Sequence, residues 1–284
     1  MVKGGNFYSF IFLSELYESG LMYQEFDGIK FNNKYKTNVG DKLTAEGVLE
    51  ISINGSVFLN TMRTPGNDKQ LIRGLLYSEN VYRNLNENLN INFKYEDDIT
   101  MMADVLIPKN LLGEGINTAR SILSVSSCGI CGKRELDIIS TFENRLKTDK
   151  KVKINVLYKM FEAMEEHQDT FKQSGGSHAS AAFDSHGNLL SIKEDIGRHN
   201  AVDKVIGDLI INQNLQNAFC IIVSGRISYE IIAKVYSAKI PVVAAVSAPS
   251  SLAVGYAKEL GITLLGFCRG ERATCYTNPS RIEV

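Results

Sequence analysis

An α/β fold built on a largely parallel sheet is what the C-terminal half of this chain predicts. Three short apolar runs, at 219–223, 242–246 and 262–267, have strand length, and the first two are rich in Val and Ile. Helical patterns separate them. The first carries Ile231, Ile232, Val235 and Tyr236; the second carries Leu252, Ala253, Tyr256, Ala257 and Leu260, with Gly261 as a stop. Strand, helix, strand, helix, strand calls for right-handed crossovers. Nearly continuous apolar strands call for a sheet covered on both faces.

Upstream of these runs, 178–183 and 189–192 read as two strands joined by a turn at Ser185-His186-Gly187-Asn188. A helix follows over 200–211, with Ala201, Val202, Val205, Ile206, Leu209 and Ile210 as its apolar face. Another covers 155–168, with Leu157, Met160, Phe161 and Met164 at helical spacing. Nearer the start, Val48, Leu49, Ile51 and Ile53 lead into an Asn54-Gly55 hairpin turn and a return strand at 57–59. Residues 61–66 read as a loop, 68–78 as a helix, 84–98 as unpatterned, 101–107 as a strand and 134–146 as helical. The first forty residues have weak periodicity and read as a variable extension. The expected division is 1–45 extension, 46–150 a smaller α+β part, and 151–284 the α/β domain.

Hydrophobic residues make up 44%, charged residues 22%, and net charge is −1. Neither sign dominates, so no nucleic acid or membrane surface is expected as a partner. Ser9, Ser14 and Glu15 interrupt the mildly apolar stretch 7–16, and no apolar run reaches spanning length, so a cytoplasmic protein is expected. Five cysteines are too sparse for a disulfide framework. In a reducing compartment they are read for reactivity or metal binding.

Cys128-Gly129-Ile130-Cys131-Gly132-Lys133-Arg134 is the strongest local signal. Two thiols in a loop with glycines and serines reach the same small object, and the adjacent cations favour a thiolate. Half a zinc site needs two more ligands, which His178 and His199 supply only if the fold brings them near; a thioredoxin-like pair lacks its setting after a first strand; a sulfur or redox relay is the third reading. Spacing alone ranks metal ahead of relay, and both ahead of two inert cysteines. Glu194-Asp195-Ile196-Gly197-Arg198-His199-Asn200 holds more varied polar groups than a helix cap requires. Asp195 or Asn200 suits the cap, and Arg198 and His199 suit an anionic ligand or a thiol. Asp203 and Lys204 read as a solvated or structural pair. Ser174-Gly175-Gly176-Ser177-His178 reads as a plain turn or as an anion pocket around His178.

Open parallel sheets bind ligands beyond the carboxyl ends of their strands. Those ends are Ser224-Gly225-Arg226, Ser247-Ala248-Pro249 and Cys268-Arg269-Gly270. Two lead into helix N-termini, which favour anions, so a phosphate-bearing ligand is expected. Arg269 and Arg272 beside Gly270 suit phosphate or guanine, though a surface loop of paired charges reads almost as well. Cys220, inside an apolar run, reads as core.

These stretches together resemble the formate dehydrogenase accessory sulfurtransferase family, FdhD. The matching segments are Met62-Arg63-Thr64-Pro65-Gly66, Ser126-Ser127-Cys128-Gly129-Ile130-Cys131-Gly132-Lys133, Gly175-Gly176-Ser177-His178-Ala179, Glu194 through Lys204, and Val246 through Ala253. The resemblance runs from about Glu46 to the C-terminus. It implies a three-layer α/β/α, cytidine-deaminase-like C-terminal domain. It implies transfer of sulfur from a cysteine desulfurase to the molybdenum bis(molybdopterin guanine dinucleotide) cofactor of formate dehydrogenase, with no permanent cofactor and no bound metal. Cys128 would carry the persulfide, with Cys131 as partner, and the protein would be a homodimer. Phe267, Cys268, Arg269, Gly270, Glu271 and Arg272 would correspond to the cofactor-binding stretch, although a thiol at Cys268 departs from the pattern. Ser224, Arg226, Ser247, His178, Arg198 and His199 complete the expected binding surface. A zinc-dependent deaminase is the competing enzyme, but it needs His-x-Glu with Pro-Cys-x-x-Cys, and neither His178 nor His199 is followed by Glu at that place. A chaperone that only shelters the cofactor is the competing non-enzyme.

Overall fold

The structure, a computed structural model, describes residues 22–97, 99–117 and 145–284. The Cys128–Cys131 motif therefore lies outside the described residues. So does the helix read at 134–146, except Arg145 and Leu146, which are irregular.

Within the stretch read as a variable extension, residues 23–44 are regular. Strands β1 (Tyr23–Phe31) and β2 (Lys36–Thr44) form an antiparallel hairpin. An Asx turn closes its tip, with Asn32 Oδ1 accepting from Lys34 N and Tyr35 N, both at 2.9 Å. Next comes a four-stranded sheet of β3 (Gly47–Ile53), β4 (Ser56–Arg63), β5 (Asn90–Tyr95) and β6 (Thr100–Leu106), in the order β4-β3-β6-β5. Two corrections fall here. β4 runs on to Arg63, through half of the expected loop. β5 occupies the stretch read as unpatterned, where Ile91, Phe93 and Tyr95 alternate toward the core. Helix α1 (Asp68–Ser78) covers this sheet with Leu71, Ile72, Leu75 and Leu76.

A short parallel pair is formed by β7 (Val152–Lys153) and β14 (Ile282–Glu283). The second sheet has six strands in the order β13-β12-β11-β10-β8-β9. Its centre is the expected parallel set: β10 (Cys220–Val223), β11 (Val242–Ala245) and β12 (Thr263–Arg269). Antiparallel neighbours flank it. These are β8 (His178–Phe183) and β9 (Leu189–Asp195) on one side and β13 (Arg272–Thr277) on the other. The sheet is thus mixed, and the segment after Arg269 returns as a strand.

Alternation along the central strands divides the core. Ile221, Val223, Val243, Ala245 and Leu264 face helices α4 (Arg198–Ile211), α5 (Tyr229–Ser237) and α6 (Ser251–Leu260). Cys220, Ile222, Val242, Ala244 and Leu265 face α2 (Ile154–Glu166). A short helix, α3 (Asp169–Ser174), ends at Gly175 in a left-handed cap, so the Gly-rich stretch before β8 is a helix stop.

The two sheets are joined through α1 and α4. At their crossing, a methyl on Gly74 would lie 1.9 Å from Asp203 O, and one on Gly207 would lie 1.9 Å from Gln70 O. Only glycine lets the two backbones meet this closely. Beside this seam, Asp203 is bound by Lys234 Nζ at 2.7 Å and Ser78 Oγ at 3.1 Å. Asp203 and Lys204 are therefore both buried, and each is paired elsewhere rather than to the other.

Candidate functional site

The carboxyl ends of β10, β11 and β12 collect most of the residues singled out above. His178 opens β8, which runs antiparallel to β10, so it arrives at the same sheet end as Ser224, Gly225 and Arg226. A methyl on Gly225 would come 3.3 Å from His178 Nδ1 and 3.7 Å from Arg198 Cβ, so glycine lets these groups close together. Burial, then the charge of Arg198, lowers the His178 pKa below the usual imidazole range, with Asp195 opposing. Its ring is neutral at pH 7. Arg198 Nε is buried with no hydrogen-bond partner among the described residues.

His199 Nε2 lies 2.8 Å from Glu230 Oε2 and 3.1 Å from Ser228 Oγ. Both partners address the same ring nitrogen, so this is not a relay of the Ser-His-acid kind. Burial raises the Glu230 pKa, but the hydrogen bond and charge of His199 outweigh it and hold the carboxyl below its usual range. Glu230 and Ser228 carried no signal in the sequence. They meet His199 because α5 starts where β10 ends.

Ser224 Oγ accepts from Ala179 N at 2.9 Å, which ties β8 to the end of β10. Ser247 O accepts from Phe267 N at 3.1 Å, and Ile227 bridges Pro249. Ser250 caps α6, its Oγ accepting from Ala253 N at 3.1 Å. Phe267 is exposed and holds a left-handed φ of 55°, which is rare for an aromatic residue. Arg269, Gly270, Glu271 and Arg272 form the exposed turn between β12 and β13. Arg226 is exposed as well. Cys268 differs from its neighbours: it is 2% exposed and belongs to the core beneath the sheet, and burial pushes its thiol pKa up to about 12. Cys220 is also buried, as expected, and its pKa is raised further by the same cause.

Much of the Glu194–Lys204 motif is scaffold. Asp195 accepts from Gly197 N at 2.8 Å, Asn200 Nδ2 at 3.0 Å, Thr64 N at 3.2 Å and Lys204 Nζ at 2.7 Å. Asn200 Nδ2 also donates to Met62 O at 2.8 Å, and Lys204 Nζ to Thr64 O at 2.9 Å. Ile196 N donates to Thr64 Oγ1 at 3.0 Å. The residue at the α4 cap position is Gly197, without a side-chain cap, so neither Asp195 nor Asn200 plays the expected part. Arg63 and Asp68 complete the cluster with a buried pair at 3.0 Å. Burial drives their pKa values together, Arg63 down to about 10 and Asp68 up to about 7. Glu194 accepts from Thr170 N, Phe171 N and Ser177 Oγ at 2.7–2.8 Å. Two sequence motifs far apart, Met62–Gly66 and Glu194–Lys204, are thus two halves of one latch, which fixes how Arg198 and His199 leave the sheet.

Among the described residues, no three His, Cys, Asp or Glu side chains gather as a metal-binding set. No helix among them is long and apolar enough to cross a membrane.

A mixed α/β protein with this polar sheet end has relatives. Residues 44–283 match the FdhD/NarQ family, and the chain belongs to that family. It is 39% identical over 256 residues to the sulfur carrier protein FdhD of Sulfolobus acidocaldarius, covering 90% of this chain and 96% of that one. Its identity to the sulfur carrier protein FdhD of Saccharolobus solfataricus is 42% over 226 residues, covering 79% and 83%. To the protein of that name from Mycobacterium tuberculosis it is 38% over 253 residues, covering 85% and 92%. A crystal structure assigned provisionally as a formate dehydrogenase accessory protein, from Desulfotalea psychrophila, superposes with a TM-score of 0.72 at 19% identity. That superposition covers 93% of this chain and all of the other, and it shows that the fold is shared.

Proposed function

We propose that this protein is a cytoplasmic sulfur carrier that serves formate dehydrogenase. The observation that carries the reading is the likeness, at 38–42% identity over most of their length, to proteins named sulfur carriers. A thiolate at Cys128 takes the terminal sulfur of a cysteine desulfurase persulfide, leaving the donor thiol behind. Cys131 then attacks the inner sulfur of the Cys128 persulfide, so that a Cys128–Cys131 disulfide forms and the outer sulfur leaves at the sulfide level for molybdenum. This is sulfurtransferase chemistry, and the α/β part that supports it is cytidine-deaminase-like.

The cargo is the molybdenum bis(molybdopterin guanine dinucleotide) cofactor, which brings phosphate oxygens and guanine edges. The sheet end fits such a molecule. Arg198 Nε is a buried donor with no partner among the described residues; Arg226 follows β10, and Arg269 and Arg272 flank the turn after β12, all three exposed. Exposed Phe267 offers a ring face to a base. Cys268 belongs to the core, so this stretch meets the cargo through its backbone and its neighbours. The protein acts as a homodimer.

Peptide mass spectrometry after incubation with a cysteine desulfurase and cysteine tests the reading, with zinc measured on the same sample. One reductant-labile sulfur on the Cys128–Cys131 peptide, without zinc, is the expected result. No added sulfur and one zinc per chain would overturn it.

A further inference from the structure

We infer that Glu230 makes anion binding at the sheet end draw a proton onto His199, and is thereby a positioning residue for the phosphates of the cargo. The inference rests on the phosphate-bearing cargo proposed above and adds a coupled proton to it. Glu230 stands at the second position of α5, where a carboxylate already suits a helix N-terminus. Its geometry goes further than that role requires. Oε2 reaches across to α4 and lies 2.8 Å from His199 Nε2, with Ser228 Oγ 3.1 Å from the same nitrogen and 3.5 Å from Oε2. The His199 and Glu230 side chains are only 13% and 11% exposed. Burial pushes the Glu230 carboxyl toward its neutral form, yet the His199 hydrogen bond and the surrounding cations outweigh it and keep the group ionised. A carboxylate thus sits close to Arg198, on a surface proposed to take phosphates.

By itself such a carboxylate repels the cargo, and most of the charges around it are already engaged. On α5, Lys234 is held by Asp203 at 2.7 Å and Glu79 at 3.7 Å. On β9, Asp195 is held by Lys204 at 2.7 Å. On β8, His178 is kept neutral by burial and by Arg198. Arg226, after β10, is exposed. On α4, the buried Nε of Arg198 has no partner among the described residues and is available to an anion. His199 is the remaining group that changes charge near neutral pH. Against an ionised carboxylate, its Nε2 carries the proton of a neutral ring, and a second proton gives an imidazolium that cancels the carboxylate. An anion on Arg198, the preceding residue of the helix, favours that imidazolium from one side as Glu230 does from the other. The anion need not touch the ring, since an opposite charge within about 6 Å is enough to draw the proton. One solvent proton is bound as one anion is bound, and no bond to the cargo forms.

The test is calorimetry of guanosine diphosphate binding to the full chain, in buffers of different ionisation enthalpy, from about pH 6 to about pH 8.5. Wild type is expected to take up about half a proton or more near neutral pH and to lose about tenfold in affinity across the range. Glu230→Gln is expected to take up less than about a fifth of a proton and to stay within about threefold of one affinity throughout. At the alkaline end it is expected to bind about threefold tighter than wild type, because there the carboxylate only repels. Damage to the fold would weaken binding at every pH instead. His199→Gln is expected to flatten the profile as well, and subtracting its profile removes the nucleotide's own titration. The His199 ring resonances of the wild-type chain, which need no variant, are expected to move toward imidazolium when the nucleotide is added. Wild type that does not bind guanosine diphosphate would overturn the phosphate-bearing cargo and this inference together. Binding with a His199 ring that stays neutral, equal proton uptake in Glu230→Gln, or weaker binding by that variant at every pH would overturn only the inference. Sulfur loading of the Cys128–Cys131 peptide on the same samples reports on carrier function separately.

Discussion

The seam between α1 and α4 and the β1–β2 hairpin both draw on the N-terminal part of the chain, which supplies α1 to the seam and the whole of the hairpin, yet they handle surface in opposite ways. At the seam, two glycines let backbones touch, and the neighbouring charges Arg63, Asp68, Asp195, Asp203 and Lys204 are all at or below 2% exposure. On the hairpin, nearly every residue from Glu25 to Leu43 is open to solvent. Position in the sequence therefore says little about how a segment tolerates change. A closed seam has no slack in volume or in charge, whereas a projecting hairpin has both.

The largest expected effect is at the crossing. Gly207→Leu drives a side chain into the Gln70 carbonyl, and a loss of more than about 4 kcal/mol is expected, read as failure to accumulate soluble protein or as collapse of the urea midpoint. Breaking the latch comes next. Lys204→Met leaves Asp195 buried without its cation, at a cost of about 3–5 kcal/mol in denaturant unfolding. A result close to wild type would mean that the Lys204–Asp195 pair does not hold the latch, and the contrast between the two regions would fail. The hairpin gives the counterpart: Phe31→Asp is expected to leave the unfolding free energy of the subunit within about 0.5 kcal/mol of wild type.

Two finer tests concern the site. Alkylation of the folded protein under native conditions is expected to spare Cys220 and Cys268, both fully buried with raised pKa values, and to reach Cys275 only slowly. Rapid labelling of Cys268 would take it out of the core and return it to the stretch proposed to meet the cofactor. The smallest effect is a titration. The folded pKa of His178 is lowered, so the unfolded chain takes up this proton first. The associated stability is complete above about pH 6.5, the unfolded value, and is lost as pH falls from there through the depressed folded pKa. Histidine resonances should show His178 titrating below the usual range, and Arg198→Gln should move it upward.

The central sheet was legible because Val, Ile and Ala runs at 219–223 and 242–246 face helices on both sides, and burial on both faces leaves a continuous apolar signature. Strand β13 was not, because its outward residues Arg272, Thr274 and Tyr276 are exposed at the edge of the sheet and its half-buried ones are only Ala273 and Cys275. β5 did carry a signal, the alternation of Ile91, Phe93 and Tyr95, masked by asparagines between and around them. The gathering of His178, Ser224, Arg226 and Ser247 at one sheet end was legible in outline, since it follows from the strand order of β8, β10 and β11. The division of labour inside Glu194–Lys204 was not. Asp195 owes its role to Thr64, 131 positions away, and no local pattern reports a partner at that separation.

The latch has a consequence for how the chain folds. Met62, Thr64 and Asp68 lie in the first part of the chain, and Asn200, Lys204 and Asp195 in the second, so neither part completes its interior alone. A fragment beginning at residue 145 would leave Lys204 and Asn200 without their carbonyl acceptors on Met62 and Thr64 and would bare the glycine face of α4 to water. The two sheets are therefore one thermodynamic unit. Calorimetry of the whole protein should show a single endotherm, with calorimetric and van't Hoff enthalpies that agree.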